Sequence, residues 1–381
     1  MLKIGKYSFG VGDRFAREGV NQLQALLEAE QRFGVHFDPV WNKSNREHQI
    51  VGTEPAETRA EADAAVKTLN YKGQYFVDAD HINLGNVDRF IAASDFFTID
   101  VADYIGKTGS VEDRFLPAIR EAGKIYRHIA ERKGADNFVT EVSMDEVDEA
   151  QTPDELRYIL QEIAREGIPV QTIAPKFTGR FNKGVDYRGD LAQFEREFEQ
   201  DLLVIEEAVR LYGLPDKLKL SIHSGSDKFS IYPIMGRLIR KHDAGIHIKT
   251  AGTTWLEENI GLAVADPAAL DLAKRIYAGA LGRMEELTVP YATVIDIDPA
   301  ALPSAEEVAR WDADTYARTL RHNPADPLYN PSFRQLIHVS YKIAAELGAE
   351  FLPALEKHTA VIGREITENL CERHIRRLFM E

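Results

Sequence analysis

Residues 75–81, with the sequence YFVDADH, contain a short apolar run that passes directly into two polar residues, Asp80 and His81. The length of this run and its β-branched and aromatic side chains are typical of a buried strand. Similar runs, bounded by Gly, Asp or Pro, recur along the first two thirds of the chain. The predicted strands are 4–9, 37–41, 75–79, 96–101, 137–142, 170–174, 218–222 and 246–249.

The stretches between these runs have the residue spacing of amphipathic helices. Helices are predicted at 18–33, 57–69, 114–132, 153–166, 191–212 and 232–242. Because strands and helices alternate along this part of the chain, the sequence predicts an α/β fold, a (β/α)8 TIM barrel over residues 1–260. In such a barrel the chemistry takes place on the loops that follow the strands.

The strand signals stop after Trp255, and only helical spacing follows. Helices are predicted there at 267–286, 304–320, 333–347 and 353–379. We therefore expect a helical extension, residues 261–381, that packs on the barrel. A doubly wound sheet is the structural alternative, but neither Gly10-Val11-Gly12 nor the Ser-Gly-Ser run at 224–226 continues as the Gly-x-Gly-x-x-Gly of a dinucleotide-binding turn.

Composition excludes several classes of protein. The chain has 381 residues, a formal charge of -15, 44% hydrophobic residues and one cysteine, Cys371. The hydrophobic fraction is that of a globular protein, and the acidic balance argues against nucleic acid or anionic membrane as a partner. No run approaches the roughly 20 apolar residues of a membrane span, so a cytoplasmic protein is expected. One cysteine leaves His, Asp and Glu as the metal ligands available.

Titratable side chains stand at the carboxyl ends of four predicted strands. Asp80 and His81 follow the third, Glu141 lies near the end of the fifth, His223 follows the seventh, and His247 lies in the eighth. A lone histidine at a strand end is more often structural, but in a barrel these ends converge on one mouth. The sequence therefore predicts a site for one divalent cation with three imidazole ligands, His81, His223 and His247. Such ligands suit Zn, Mn, Ni or Co.

Two loops add to this site. Residues 176–188, after the sixth strand, are long and cationic in an acidic protein, which is typical of a lid or binding loop. In the loop that follows His223, the small residues at 224–226 are expected to offer backbone N–H groups to oxygen atoms of a ligand. His338, on a predicted tail helix, could approach the mouth, although a structural role is favoured.

Four of these segments together resemble one known family. The segments are 77–81 (VDADH), 175–181 (PKFTGRF), 223–230 (HSGSDKFS) and 247–254 (HIKTAGTT). They resemble the tagaturonate/fructuronate epimerases of hexuronate catabolism, some members of which also act on fructose and tagatose. The resemblance runs through nearly the whole barrel and into the tail. It implies a divalent-metal-dependent isomerase that interconverts D-tagaturonate and D-fructuronate.

A second resemblance concerns the chemistry. In class II aldolases a catalytic Asp directly precedes a metal-binding His, a Glu follows on a later strand, and two more His ligands come from the last strands. Asp80-His81, Glu141, His223 and His247 are similar in order and type. The departure is that the Gly-rich run follows the first of the two late histidines here and not the second.

These resemblances lead to a mechanistic hypothesis. The two ketouronates differ at a carbon beta to the ketone, so the hypothesis is retro-aldol cleavage, rotation of the aldehyde and re-addition. Asp80 is expected to take the proton of the beta-hydroxyl and Glu141 to be the second acid/base. The residues expected to bind the substrate are Lys176, Arg180, Asp227, Lys228 and Lys249.

Several alternatives stay open at this stage. An aldolase that releases its fragments would share every site residue, and a metal-dependent sugar isomerase would use the same barrel. A non-catalytic sugar-acid-binding protein with a structural metal is the alternative from another class. Lys249 could also form a Schiff base with the ketone. The native metal, a preference for the uronate or the neutral ketose, and a homo-oligomeric state are left open by the sequence.

Overall fold

The chain forms a closed barrel of eight parallel strands, each paired with the next and the last with the first. A computed structural model describes residues 1–223, 227–250 and 252–381. The strands are β1 Tyr7–Val11, β2 Asp38–Ser44, β3 Phe76–Ile82, β4 Phe96–Asp100, β5 Val139–Ser143, β6 Val170–Ala174, β7 Lys219–His223 and β8 Ile246–Lys249. The predicted (β/α)8 fold is confirmed.

Helices surround the barrel and continue into the tail. They are α1 Gly19–Phe33, α2 Asn45–Val51, α3 Pro55–Thr68, α4 Val111–Lys133, α5 Pro153–Arg165, α6 Leu191–Tyr212, α7 Tyr232–Lys241, α8 Thr253–Ala265, α9 Pro267–Gly282, α10 Met284–Thr288, α11 Ala305–Ala309, α12 Ala313–Leu320, α13 Pro331–Val339, α14 Tyr341–Glu346, α15 Gly348–Thr367 and α16 Arg376–Phe379. The predicted helical extension is present, and α15 packs against α8 and α1.

Helix α8 was not predicted, and its burial explains why. Residues 253–263 of this helix are all buried, because α15 and α9 cover the side that would otherwise face water. A helix buried all round lacks the apolar stripe that sequence periodicity detects. The expected domain boundary at residue 260 falls inside α8, and the division into two domains stays a prediction.

The barrel interior changes from apolar to polar along the strands. Near the amino ends lies a small cluster of buried residues, Ile4, Val40, Phe76, Phe96 and Val139. Because side chains of a strand alternate between its two faces, the next interior positions lie two residues further on. On β3, β4 and β5 these positions are Asp78, Thr98 and Glu141, all buried. A polar layer therefore rests on an apolar floor, close to the mouth.

Two findings bear on the expected location of the protein, one on membrane-spanning helices and one on the single cysteine. Among the helices of the described ranges, none combines the length and the apolar character that crossing a membrane requires. Cys371 is buried and free. The cytoplasmic location stays a prediction.

The close approach of α7 to α16 gives a prediction about stability. A Cβ atom on Gly236 would lie 1.7 Å from the carbonyl oxygen of Leu378, so Gly236→Ala must push α16 away. We expect the free energy of unfolding to fall by about 1–3 kcal/mol, the usual cost of overpacking. The measurement is chemical denaturation followed by circular dichroism.

Gly282→Ala is the matched control at the end of α9. Among the described residues no heavy atom lies within 4 Å of its added Cβ, so this change should be neutral or slightly stabilising. Equal stability of the two variants would contradict the close packing of α7 on α16.

Candidate active site

A cavity of about 520 Å³ opens at the carboxyl ends of the strands. Its walls come from the ends of β2, β3, β4, β7 and β8, from α2, from the segments after β1, β3, β4, β5 and β6, and from the tail segment around Tyr291. Of the residues predicted for the site, five line it: Asp80, His81, Lys176, His223 and Lys249. These five residues come from three strands, β3, β7 and β8, and from the loop after β6.

Asp80 and His81 both line the cavity although they are neighbours on one strand, where side chains normally alternate. The register between β3 and β4 shifts between Ala79 and Ile82. His81 itself has a left-handed backbone, with φ of 51°. A bulge of this kind turns a side chain to a new direction, and the strain of a non-glycine residue in this conformation is typical of functional positions.

His81, Asp145 and His223 have the geometry of a metal-binding group. One ligand atom from each lies within 4.8 Å of the other two. The Nδ1 atom of His223 is 3.1 Å from Oδ1 of Asp145, an ion pair when the ring is protonated. A deprotonated imidazole nitrogen and a carboxylate oxygen at this separation can both bind one metal ion. We conclude that this donor set suits a divalent cation.

A carboxylate contacts one ring nitrogen of His81 and another contacts one ring nitrogen of His223. Nδ1 of His81 lies 3.1 Å from Oδ2 of Asp100, and Nε2 of His223 lies 2.8 Å from Oε1 of Glu141. Carboxylates in this position fix the orientation and the tautomer of a ligating histidine. His81 and Asp100 also form a second group of candidate ligands with Glu146.

The electrostatics of this group favour positive charge. Burial alone would lower the pKa of His223, but Asp145 and Glu141 together outweigh it and raise the pKa to about 9. Burial is likewise outweighed at His81, whose pKa is raised well above its usual range by Asp80 and Asp100. Carboxylates that stabilise two protonated imidazoles would stabilise a bound divalent cation in the same way.

Lys249 is the centre of a buried ionic cluster beside this group. Its Nζ atom lies 2.8 Å from Asp78, 2.8 Å from Asp80 and 3.1 Å from Glu141. It also donates to Oγ1 of Thr98. Burial opposes the charged form, but the three carboxylates raise the pKa of Lys249 well above its usual range. Lys249 is therefore an ammonium ion.

The carboxyl groups in this cluster differ in their proton affinity. Burial raises the pKa of Asp78 to about 7, although Lys249 opposes the shift. For Asp80 the burial effect is outweighed by Lys249 and then by His81, which lower its pKa to about 2. The carboxyl group on the cavity wall is ionised, while the one beneath it takes up a proton more readily.

His247 and Glu141 lie inside the barrel below the cavity, whereas the sequence prediction expects them at the mouth. Nδ1 of His247 is hydrogen-bonded to Oγ of Ser8 at 2.8 Å, and burial lowers the pKa of this ring to about 3. His247 belongs to neither ligand group found among the described residues. Glu141 is fully buried and does not line the cavity. The structure thus does not bring His247 together with His81 and His223.

Three of the residues predicted to bind substrate stand outside the cavity lining. The Arg180 guanidinium is half exposed and lies 3.7 Å from Asp296. Lys228 is buried and donates to the carbonyl oxygens of Asn182 and Val185, at 2.8 and 2.7 Å. Asp227 is also fully buried. Residues 224–226, expected to offer backbone N–H groups, lie outside the described residues.

Arg334 of the tail joins the loops after β6 and β7. Its Nη2 donates to Asp227 at 2.6 Å, its Nε to the carbonyl of Gly184 at 2.6 Å, and its Nη1 to the carbonyl of Leu320 at 2.8 Å. Asp227 has three further partners in the tail, namely His322, Asn369 and His374. Asp227 therefore connects the segment after β7 to the tail, and Lys228 connects it to the loop after β6.

His338 lies near the mouth but not on the cavity wall. Its carbonyl oxygen accepts from Arg14 at 3.0 Å, and a Cβ atom on Gly252 would lie 2.6 Å from its Nε2. The ring thus packs closely against the turn that follows β8.

Some lining residues were not singled out from the sequence. Asp100 lies in the predicted fourth strand, two positions beyond the buried Thr98, so strand alternation could have pointed to it. Asp145 follows β5 by two residues in an irregular loop, where no periodicity applies. Tyr291 comes from the tail, and only the folded chain brings it to the mouth.

Comparison with known proteins agrees with this architecture. A family model described as "UxaE: tagaturonate epimerase" matches residues 111–361. A curated protein of Thermotoga maritima, named tagaturonate/fructuronate epimerase, is 27% identical over 417 residues, which cover 97% of this chain and 80% of that protein.

Solved structures of fructuronate-tagaturonate epimerase UxaE from Cohnella laeviribosi share the fold. The form with one glycerol gives a TM-score of 0.82 at 22% identity, and the native form gives 0.79 at 23%. Each comparison covers 99% of this chain and 82% of the other.

The anchoring role of Arg334 can be tested by its removal. Arg334→Met leaves Asp227 buried without its closest cation, and we expect the free energy of unfolding to fall by about 3–5 kcal/mol. Arg188→Met removes an exposed guanidinium that lies 2.8 Å from Asp296, a surface pair worth about 1 kcal/mol or less. Chemical denaturation measures both, and similar losses would contradict the anchoring role.

Proposed function

Because the chain belongs to the tagaturonate epimerase family and is thus an isomerase, we propose that it interconverts D-tagaturonate and D-fructuronate by breaking and remaking a carbon–carbon bond. The observation that supports this proposal is that candidate metal ligands and a candidate base lie side by side in one cavity. The candidate ligands His81, Asp145 and His223 stand beside the ionised carboxylate of Asp80. A neutral ketose pair, D-tagatose and D-fructose, is proposed as a second substrate pair.

The structure of the substrates calls for bond cleavage. The two ketouronates differ at the carbinol carbon beta to the ketone, and the carbonyl does not acidify the C–H bond of that carbon. Enolisation therefore cannot invert it. Cleavage between the alpha and beta carbons makes the beta carbon a planar aldehyde, which can be attacked on either face.

We propose that His81, His223 and Asp145 hold a divalent cation, Zn, Mn, Ni or Co. When bound there, the cation would supply Lewis-acid polarisation of the ketone. Asp100 and Glu141 hold the two rings in place. His247 is the third ligand of the sequence prediction, but its bond to Ser8 and its depth in the barrel favour Asp145 in that place.

Asp80 is the proposed base that takes the proton of the beta-hydroxyl. It is ionised, lines the cavity and is held by the ammonium of Lys249 at 2.8 Å. As this proton moves to Asp80, the electron pair of the broken carbon–carbon bond passes into the enediolate of the ketone half. After the aldehyde has rotated, the enediolate attacks its other face, the carbon–carbon bond forms again, and Asp80 returns the proton to the new hydroxyl group.

Glu141 does not reach the cavity, so its proposed part is indirect. Lys249 donates towards both Asp80 and Glu141 and connects the two carboxylates through one ammonium group. Glu141 then positions His223 and balances the charge of Lys249. A Schiff base on Lys249 is disfavoured, because an ammonium ion bound by three carboxylates lacks the free electron pair of a nucleophile.

The alternatives predict different products. An aldolase would release a free aldehyde, a sugar isomerase would move the carbonyl group without inverting the beta carbon, and a binding protein would turn nothing over. Lys176 lines the cavity and is proposed to contact the substrate. Arg180, Asp227 and Lys228 do not line the cavity. Their proposed effect on the substrate is indirect, through the positions of the loops that they contact.

Metal removal tests the proposed function. Purified protein should interconvert the two ketouronates without accumulating free aldehyde, lose this activity on exhaustive chelation and regain it with Mn, Ni, Co or Zn. Product analysis by NMR and metal content by mass spectrometry are the measurements. Full turnover of the verified metal-free protein would sink the metal-dependent reaction.

Matched variants locate the metal. His223→Ala should lose the bound ion, whereas His128→Ala, on α4 and paired with Asp88 on the outside of the barrel, should keep it. Equal metal content in the two variants would remove His223 from the ligand set.

A second prediction concerns Asp80. Asp80→Asn keeps the shape of the side chain but not its basicity, so kcat should fall about 100 to 10,000-fold while the metal is retained. Asp103→Asn, an exposed residue on the same cavity wall, should change kcat little. Unimpaired turnover of Asp80→Asn would exclude Asp80 as the base.

A further inference from the structure

Five lysine and arginine side chains line the cavity, and three of them have no carboxylate partner among the described residues. Lys249 is held by its three carboxylates, and Arg14 lies 3.4 Å from Glu47. Arg46, Lys176 and Lys183 take part in no ion pair within the described ranges. In a protein with a formal charge of -15, unpaired cations that face one cavity call for an anionic ligand.

Two of these cations converge on one aromatic ring. The Arg46 guanidinium lies 5.4 Å from the centroid of the Tyr291 ring, and the Lys183 ammonium lies 5.6 Å from it. Tyr291 is itself only 6% exposed. The face of an aromatic ring attracts cations, so Tyr291 helps to place both cations at the edge of the cavity.

Three separate segments build this arrangement. Lys183 belongs to the loop after β6, and its backbone N–H donates to the carbonyl of Val294 at 2.7 Å. Arg46, on α2, donates to the carbonyl of Pro290 at 3.3 Å. The two cations are thus each tied to the tail segment that carries Tyr291.

The Tyr291 ring is fixed from its far side. Its hydroxyl is 2.7 Å from that of Tyr341, and the Arg14 guanidinium lies 3.9 Å from the centre of the Tyr341 ring. The position of the ring is therefore set by packing before any ligand arrives.

We propose that Arg46, Lys183 and Tyr291 form the subsite for the carboxylate of the uronate substrate, an inference that rests on the proposed function. The positive charge of both side chains favours a carboxylate at this edge of the cavity. The guanidinium offers paired N–H donors, and the ammonium adds a point charge. This subsite, and not Arg180, distinguishes a uronate from a neutral ketose.

The subsite also accounts for retention of the cleaved substrate. Cleavage between the alpha and beta carbons leaves the carboxylate on the aldehyde half, two carbons from the aldehyde carbon. Rotation about the bond between the aldehyde carbon and its neighbour presents the other face to the enediolate while the carboxylate stays in place. An anchor on the carboxylate is therefore compatible with inversion and prevents loss of the aldehyde.

Titration calorimetry of the metal-loaded protein with D-fructuronate tests the subsite. Lys183→Met and Arg46→Met should each weaken binding at least about tenfold, as expected for loss of a charge-assisted contact. Lys183→Arg should recover most of the affinity. Added salt should weaken binding to the wild-type protein more steeply than binding to the double variant.

Two comparisons make the outcome decisive. Arg188→Met, in the same loop but outside the cavity, is the control and should bind like the wild type. A dissociation constant within about twofold of wild type in either Lys183→Met or Arg46→Met overturns the subsite, as does an equal or larger loss in Arg180→Met.

The proposed function fails separately from the subsite. If the wild-type protein binds D-fructuronate without turnover, the epimerase proposal is lost while the variants still decide the subsite. If it neither binds nor converts the uronate, both proposals are overturned.

Discussion

The buried contact between Arg334 and Asp227 is the interaction on which the mouth of the barrel depends. Both side chains are fully shielded from solvent, so the guanidinium can only be stable if its donors are satisfied. It satisfies them with a carboxylate from the loop after β7, a carbonyl from the loop after β6 and a carbonyl of the tail. The helical extension is therefore a part of the active-site architecture, because it holds the loop that begins at His223.

Charge balance explains how so many ionisable groups share a small volume. Lys249 offsets part of the negative charge of a layer of three carboxyl groups that would otherwise repel one another more strongly in a medium of low dielectric constant. Outside that layer, His81 and His223 face Asp100 and Asp145. The apolar floor beneath separates the whole group from the other end of the barrel. The cavity thus combines candidate metal ligands and the proposed base with cations that form no ion pair within the described residues.

The barrel could be predicted from sequence because each strand is a short apolar run between polar turns. The strand-end residues Asp80, His81 and His223 could be found by the same rule, since parallel strands bring their carboxyl ends together. Helix α8 escaped because it is buried on all sides. His247 was placed one layer too high, since a run of four residues does not show which position reaches the mouth. Arg180 and Lys183 are three residues apart in an irregular loop, where composition cannot tell which side chain faces the cavity.

The helical segment between α15 and α16 has a geometry with one further consequence. Residues Glu368–Ile375 form a π-helix, and Asn369 and His374, five residues apart, both contact Asp227. In an α-helix, side chains five positions apart point about 140° away from one another. The wider turn brings them to the same face. The π-helical turn therefore lets two side chains of the tail contact one carboxylate, that of Asp227. Deleting or inserting one residue in this segment would move one of the two side chains away from it.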